Sequence, residues 1–254
     1  MNMSNMPEAS SLSANREIYS RAPVMEAAID IRCTNRPNFT VSDIALLGAS
    51  LSSDFREQGE IVEKSEEFRA DGSRRTTERP IGLMFRRNDG RGVVQLQVEG
   101  FTYSRVAPYE RWEPFRDDGK RLWDIYSETS KPQGINRLGV RYINRIGIGT
   151  ATFGDVASFL KVYPVTPWGS EPPIGFTVQV RHAQGENMGL VVNVGTLQNP
   201  LTREAAILLD LDASFQTEMA PDSGGVWNML EQLHVIAEEA FEASITDRVR
   251  ELIR

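Results

Sequence analysis

From Leu138 to Ile146 polar and apolar residues alternate with a period of two. Leu138, Val140, Tyr142 and Ile146 fall on one face with Asn144 among them, while Arg141, Ile143 and Arg145 fall on the other. The pattern predicts a strand that carries two guanidinium groups opposite its main apolar face. It has an echo upstream. Ile29-Asp30-Ile31-Arg32-Cys33-Thr34-Asn35-Arg36 repeats aliphatic, any, aliphatic, Arg, two residues, Asn, Arg at the same spacing.

The same periodicity, taken along the chain, sets out the other elements. Met1 to about Glu17 holds few large apolar groups and reads as a flexible tail. A strand from Pro23 to about Cys33 places Met25, Ala27, Ile29, Ile31 and Cys33 on one face. A helix follows, capped by Thr40 or Ser42, with Ile44, Leu47, Leu51 and Phe55 on its buried side. Three strands are then expected, at Ile61 to Arg69, Arg79 to Arg87 and Gly92 to Val106, with Asp71-Gly72 and Asn88-Asp89-Gly90 as turns. Tyr109 to Ser127 reads as a helix, and Pro132 and Gly134 break it.

The order then recurs. A strand covers Ile135 to Ile148, and Phe153-Gly154-Asp155-Val156-Ala157 matches Val41-Ser42-Asp43-Ile44-Ala45 in type and spacing. Pro164, Pro167, Pro172 and Pro173 stiffen a loop around Trp168. Strands follow at Gly175 to Ala183, Gly189 to Leu197 and Ala205 to Phe215, with Gln184-Gly185 as a turn. The expected fold is α+β: two tandem β-α-β-β-β-α halves, 19–134 and 135–254 after the tail 1–18, joined into an extended antiparallel sheet with helices on one side. The long last helix, Gly224 to Ile253, has Val226, Leu230, Leu233, Ala237, Phe241, Ile245, Val249 and Leu252 in one stripe. Either the whole stripe lies across the sheet, or its last turns overhang and pair with a second copy in a homodimer.

Composition narrows the function classes. The net charge is −7, and the chain from Ile135 onward carries nine Lys or Arg against fourteen Asp or Glu. That balance argues against general nucleic-acid binding, which wants a basic surface. One cysteine, Cys33, excludes an internal disulfide, no stretch approaches the length of a membrane helix, and a cytoplasmic setting is expected.

Catalytic signatures are few. Two histidines and one cysteine make no zinc site of usual spacing, and there is no phosphate-binding glycine loop or nucleophile elbow. Cys33 reads as a small core residue, His182 as a strand-end residue, and His234, one position after a core leucine, as a helix-surface histidine. Asp210 and Asp212 share one face of a strand whose other face is Ile207, Leu209 and Leu211. About 7 Å apart, they suit a Mg²⁺ ion or, alternatively, ion pairs with Arg32, Arg141 or Arg145 from neighbouring strands. The aromatic block Phe101 to Phe115 reads as a strand-to-helix corner or as a ligand-stacking wall, while Glu63, Glu66, Glu67, Arg74 and Arg75 read as solvated hairpin faces.

Ala22-Pro23-Val24-Met25-Glu26-Ala27, Gln95-Leu96-Gln97, Trp112-Glu113, Leu122-Trp123 and above all Arg141-Tyr142-Ile143-Asn144-Arg145 resemble an uncharacterised, sporadically distributed bacterial family of about this length. The resemblance runs from Tyr19 to Arg254 and includes Leu209-Asp210-Leu211-Asp212. It implies accessory, often mobile-element-associated gene content, and it carries no catalytic residues.

The leading functional expectation is a binding or regulatory protein that holds a protein or small polar ligand in a sheet-and-helix groove. Candidate ligand contacts are Arg32, Arg141, Asn144 and Arg145, and no cofactor is expected. The first alternative is a metal-dependent hydrolase using Asp210 and Asp212. The second is nucleic-acid binding through Arg32, Arg36, Arg141 and Arg145.

Overall fold

Alternation along the strands decides which side of the sheet is covered. The computed structural model describes residues 19–68, 72–149, 151–165, 173–198, 204–221 and 224–254. The expected tail, Arg69, Asp71 of the first turn, and Pro167, Trp168 and Pro172 of the proline loop lie outside them. Among the described residues nine strands form one sheet: β1 (Val24–Thr34), β2 (Phe55–Phe68), β3 (Arg74–Arg87), β4 (Gly92–Gln97), β5 (Gly100–Val106), β6 (Gly134–Gly149), β7 (Thr177–Ala183), β8 (Met188–Gln198) and β9 (Ala205–Met219). Their spatial order is β2-β3-β4-β5-β1-β6-β9-β8-β7, with every neighbouring pair antiparallel. The two strands that echo each other in sequence, β1 and β6, lie side by side at the centre, Ile29 opposite Val140 and Arg32 opposite Arg137.

One face of this sheet is dry. Ala27, Ile29 and Ile31 of β1, Leu138 and Val140 of β6, and Leu209 and Leu211 of β9 are all fully buried beneath helices. The covering layer is α1 (Val41–Leu51), α2 (Trp112–Ser130), α3 (Gly225–Ser244) and α4 (Asp247–Ile253). α1 and α2 lie over the first-half strands, and α3 lies over β6 and β9. The other face keeps the polar members of each strand and stays open. The chain is therefore α+β with an extended antiparallel sheet and helices on one side, and no described helix is long and apolar enough to cross a membrane.

Element ends shift, so that Phe55, expected on the first helix, opens β2, and three elements differ in kind. Gly92 to Val106 is two strands, because Val98 and Glu99 turn the chain: the Val98 N–H donates to Ile81 O at 2.8 Å and Cys33 N–H to Glu99 O at 3.1 Å. The first half thus has five strands against four in the second. The segment at Phe153 is a 3-10 helix, Phe153–Ser158, where the first half has the α-helix α1. Both open on the same cap: the backbone N–H and hydroxyl of Thr40 donate to Asp43, each at 2.8 Å, and those of Thr152 to Asp155 at 2.9 and 3.0 Å. Each aspartate lies below its usual carboxylate range for that reason.

The third difference is the terminal helix, which breaks at Ile245. Ile245 is extended and bridges Leu160, while Thr246 N–H donates to Phe159 O at 3.0 Å and Lys161 N–H to Ser244 O at 2.8 Å. The break rephases the stripe. Val249 and Ile253 are buried and Leu252 is 46% exposed, so the last turns fold onto their own chain in place of a straight overhang.

Opposite these, β2 and β3 form a long hairpin whose far half is exposed on both faces and laced by Arg79–Glu63 at 2.9 Å, Lys64–Glu78 at 2.6 Å and an Arg74–Glu66 pair. These are the solvated hairpin faces the charge pattern called for.

Close approach of helix to sheet tests this packing. A Cβ on Gly48 of α1 would lie 2.5 Å from the Phe85 ring, itself 2% exposed on β3. Alanine in an exposed helix gains up to about 1 kcal/mol over glycine, but overpacking of this kind costs about 1–3 kcal/mol. Gly48→Ala is expected to lower the urea midpoint with an unchanged m value, and a raised midpoint would refute the close packing of α1 on β3.

Candidate functional site

Two regions gather chemistry-bearing side chains, one on each face of the sheet. On the open face, Arg141 of β6 donates through Nε and Nη2 to the two oxygens of Asp210 on β9, both at 2.8 Å. Asp210 also accepts Asn193 Nδ2 from β8 at 3.0 Å. Arg137 spans Asp30 at 2.8 Å and Asp212 at 3.3 Å. Arg32 reaches Asp30 at 3.0 Å and donates to Gln97 Oε1 at 2.9 Å, and Thr102 donates to Asp30 at 2.8 Å. Small residues in the middle, Ala28, Gly139 and Ser104, leave a hollow of about 480 Å³ above the sheet.

This is the ion-pair alternative, with Arg141 on Asp210 as expected but Arg137, in place of Arg32 or Arg145, on Asp212. Arg32, Arg137 and Arg141 interleave with Asp30, Asp210 and Asp212, so the face is balanced in charge. Among the described residues no group of three or more His, Cys, Asp or Glu side chains is placed to hold a metal ion. Arg36 is not part of the face: it donates to Asp43 at 2.8 Å where α1 begins. Arg145 is exposed on the open face beyond the lattice, and Asn144 lies on the helix side.

The second region is a groove of about 400 Å³ between the sheet and the helices, at the start of β1, the middle of β6, the N-terminal end of α2 and the outer side of α3. Its wall is aromatic. Trp112 stacks on His234, ring centroids 4.3 Å apart and planes 12° from parallel, and Tyr109 meets Tyr142 edge-on at 5.7 Å. A polar chain runs through these rings. His234 Nε2 lies 3.3 Å from Glu238 Oε1, His234 Nδ1 is 2.9 Å from the Tyr142 hydroxyl, and that hydroxyl is 3.3 Å from the Tyr109 hydroxyl. Trp112 Nε1 donates to Glu231 at 2.6 Å, and Arg116 reaches the same carboxylate at 3.3 Å. At the outer end Tyr19 donates to Glu242 at 2.8 Å.

Burial holds both phenols far above the ordinary tyrosine range, so the groove wall carries neutral hydroxyls. Asn144 is seated at the groove floor by its bond to Leu209 O at 3.1 Å.

His234 is the residue sequence reasoning misplaced. It is not on the helix surface but 4% exposed, because Trp112 from α2 closes over it. The signal was there: Glu231, His234 and Glu238 stand at i−3, i and i+4, one polar line beside the apolar stripe. The aromatic block fills the strand-to-helix corner and also borders the groove. Phe101, Tyr103 and Phe115 fill the core, while Tyr109 and Trp112 line the groove. His182 is exposed on β7, and Cys33 is buried as expected.

No protein-family model matches the chain, and no curated protein matches it.

Two expected outcomes follow from these contacts. The Asp210 side chain is only 6% exposed, so Arg141→Ala strands it with Asn193 as its remaining partner. Losing a charge-assisted bidentate pair of this kind costs about 2–4 kcal/mol, discounted toward the lower figure because Arg141 is half exposed. Arg141→Ala with Asp210→Asn together should recover part of the loss in a denaturant-based double-mutant cycle, and strict additivity would dissolve the pairing. Burial also pushes the Cys33 thiol up to about 11, so a thiol reagent at about pH 8 should label it only on unfolding. Prompt labelling of the native protein would contradict that burial.

Proposed function

We propose that the protein is a non-catalytic binding or regulatory module that holds a small polar ligand, or a polar side chain of a protein partner, in the groove between its sheet and helices. The observation that carries this reading is the groove's wall. Aromatic rings alternate there with hydrogen-bonding groups around a cavity of a size that suits a small molecule. Rings supply contact area at little entropic cost, and the convergent hydroxyls and carboxylates fix orientation.

The hydrolase alternative is weaker on the same footing. The Asp210 and Asp212 carboxylates already receive three side chains, and a cation would have to displace them. The nucleic-acid alternative is weaker because Arg32, Arg137 and Arg141 are each matched by an aspartate, and Arg145 lies outside that lattice. A bacterial accessory-gene setting belongs to the proposal on the strength of the Arg141–Arg145 resemblance. We also take the two halves as copies of one unit. Their adjacency at β1 and β6 and their shared Thr-Asp caps support that reading.

Thermal shift against a set of small polar compounds tests the groove. A ligand at about 100 times its Kd adds about 2.7 kcal/mol to the folded state, which raises the melting temperature. Val24→Trp, which fills a lining position of the groove, is expected to abolish such shifts, with circular dichroism checking that the fold is kept. Shifts that survive Val24→Trp but vanish in Asp210→Asn would move the site to the open face and overturn the proposal.

A further inference from the structure

The groove's chemistry says more about its occupant than that it is polar. Six carboxylates line it, from Glu110, Glu113, Glu231, Glu238, Glu239 and Glu242, against one arginine, Arg111. Trp112, Tyr109 and Tyr142 present rings to the same space. Rings hold a cation over their faces and carboxylates supply the opposite charge. Beneath them, the chain from Glu238 through His234 and Tyr142 to Tyr109 has a direction fixed by its ends.

A carboxylate only accepts, so His234 Nε2 must carry the hydrogen that faces Glu238. With a neutral imidazole, Nδ1 is then the acceptor and Tyr142 donates to it. The Tyr142 hydroxyl, having spent its hydrogen, accepts from Tyr109, and the Tyr109 oxygen is left with its lone pairs toward the groove. Protonation of His234 reverses every step. Nδ1–H donates to Tyr142, Tyr142 donates to Tyr109, and the Tyr109 O–H turns outward as a donor. Both phenols stay neutral, and of the side-chain types in this polar chain an imidazole is the one whose ordinary charge change falls between about pH 5 and 8.

We infer that the groove takes an organic cation, an alkylammonium or guanidinium group, and that protonation of His234 releases it by turning the Tyr109 hydroxyl from acceptor to donor. The inference rests on the groove reading above and names its ligand class and control. The groups around His234 include Glu238 from α3, Tyr142 from β6 with Tyr109 behind it, and Trp112 of α2 stacked on the ring, whose Nε1 holds Glu231 together with Arg116. The carboxylates favour a charged imidazole and the burial disfavours it, while a bound cation beside the ring opposes the second charge. Low pH and ligand therefore exclude each other. The same chemistry is presented by a free polyamine or by a lysine or arginine of a partner protein.

Calorimetric titration at about pH 8 and about pH 5.5, on either side of an ordinary imidazole titration, tests it. The probes are agmatine, spermidine and a tetralysine peptide, with citrate and glucose as anionic and neutral controls. Agmatine or spermidine binding identifies a free cation, and binding of tetralysine alone identifies a partner side chain. Either supports the class. A positive charge gained within several ångströms of the ligand should weaken binding about tenfold or more at the lower pH. In His234→Gln that pH factor should fall below about twofold, since ordinary carboxylates remain ionised over this range. Tyr109→Phe keeps the ring and deletes the hydroxyl. It should lower affinity at the higher pH and reduce the pH factor, and it serves where His234→Gln fails to fold.

Citrate or glucose binding that is lost in Val24→Trp would overturn the cation class and leave the groove reading standing. No binding of any cation probe at the higher pH would overturn the class as well. Cation binding with an undiminished pH factor in both variants would overturn the role of His234.

Discussion

A guanidinium on the central strand of a wide sheet is the constraint around which both faces are built. β6 has neighbours on both sides, so Arg141 has only the space above the sheet to occupy. Its bidentate bond to Asp210 solves that, and it does so across strands, tying β6 to β9 by side chains as well as by backbone. The pairing also sets register. Arg141 stands directly opposite Asp212 and reaches past it to Asp210, which leaves Asp212 to Arg137. A slip by one residue would turn these charges into the helix layer, where burying them unpaired costs several kcal/mol. The polar lattice thus enforces the alternation that lets Leu138, Val140 and Leu209 meet the helices.

The helix face uses its polar residues differently. Tyr142 and Asn144 continue the buried side of β6 past Val140, so the sheet turns polar beside the N-terminal end of α2 and the groove side of α3. A hydroxyl in a dry core demands a partner. Tyr142 finds two, His234 and Tyr109, and neither is itself a core residue by type. The groove therefore lies where Tyr142 and Asn144 interrupt the apolar run of the central strand, which Ile146 and Ile148 resume.

Much of this was legible in the residues, and the limits have physical causes. Period-two alternation placed Arg141, Asp210 and Asp212 on one face, and a strand's geometry leaves little freedom about that. Helical phase was less secure. The stripe through Leu233 and Ala237 is correct for α3 and Val249 keeps its expected burial, yet one extended residue at Ile245 breaks the helix, and Leu252 ends up outside while Ile253 goes in. The backbone bonds that impose the break come from Phe159 and Lys161, about 85 residues earlier, and local pattern carries no trace of them. His234 failed for the same kind of reason. A position beside an apolar stripe is a surface position unless a second helix crosses it, and the lid is Trp112 from another element. The split of β4 from β5 is a milder case: Val98 looks like a strand residue, and its role in the turn comes from a bond to Ile81.

The balance of charge distinguishes the two faces more sharply than any single residue does. On the open face each arginine of the lattice has its aspartate, and the hollow above Gly139 is close to neutral. In the groove the carboxylates outnumber the cations. Arg116 and Arg250 reach Glu231 and Glu242 from outside it, neutralising two of the six from behind. A net charge of −7 for the whole chain conceals this division. A self-paired lattice has little to gain from a ligand, because any ion must first displace a partner of equal quality. A cavity with carboxylates in excess and rings to flank them gains both the Coulomb attraction and the contact area when a cation enters. Affinity is a difference between bound and unbound pairings, so the face that looks richer in ionic contacts is the poorer candidate for binding, and the under-compensated groove is the better one.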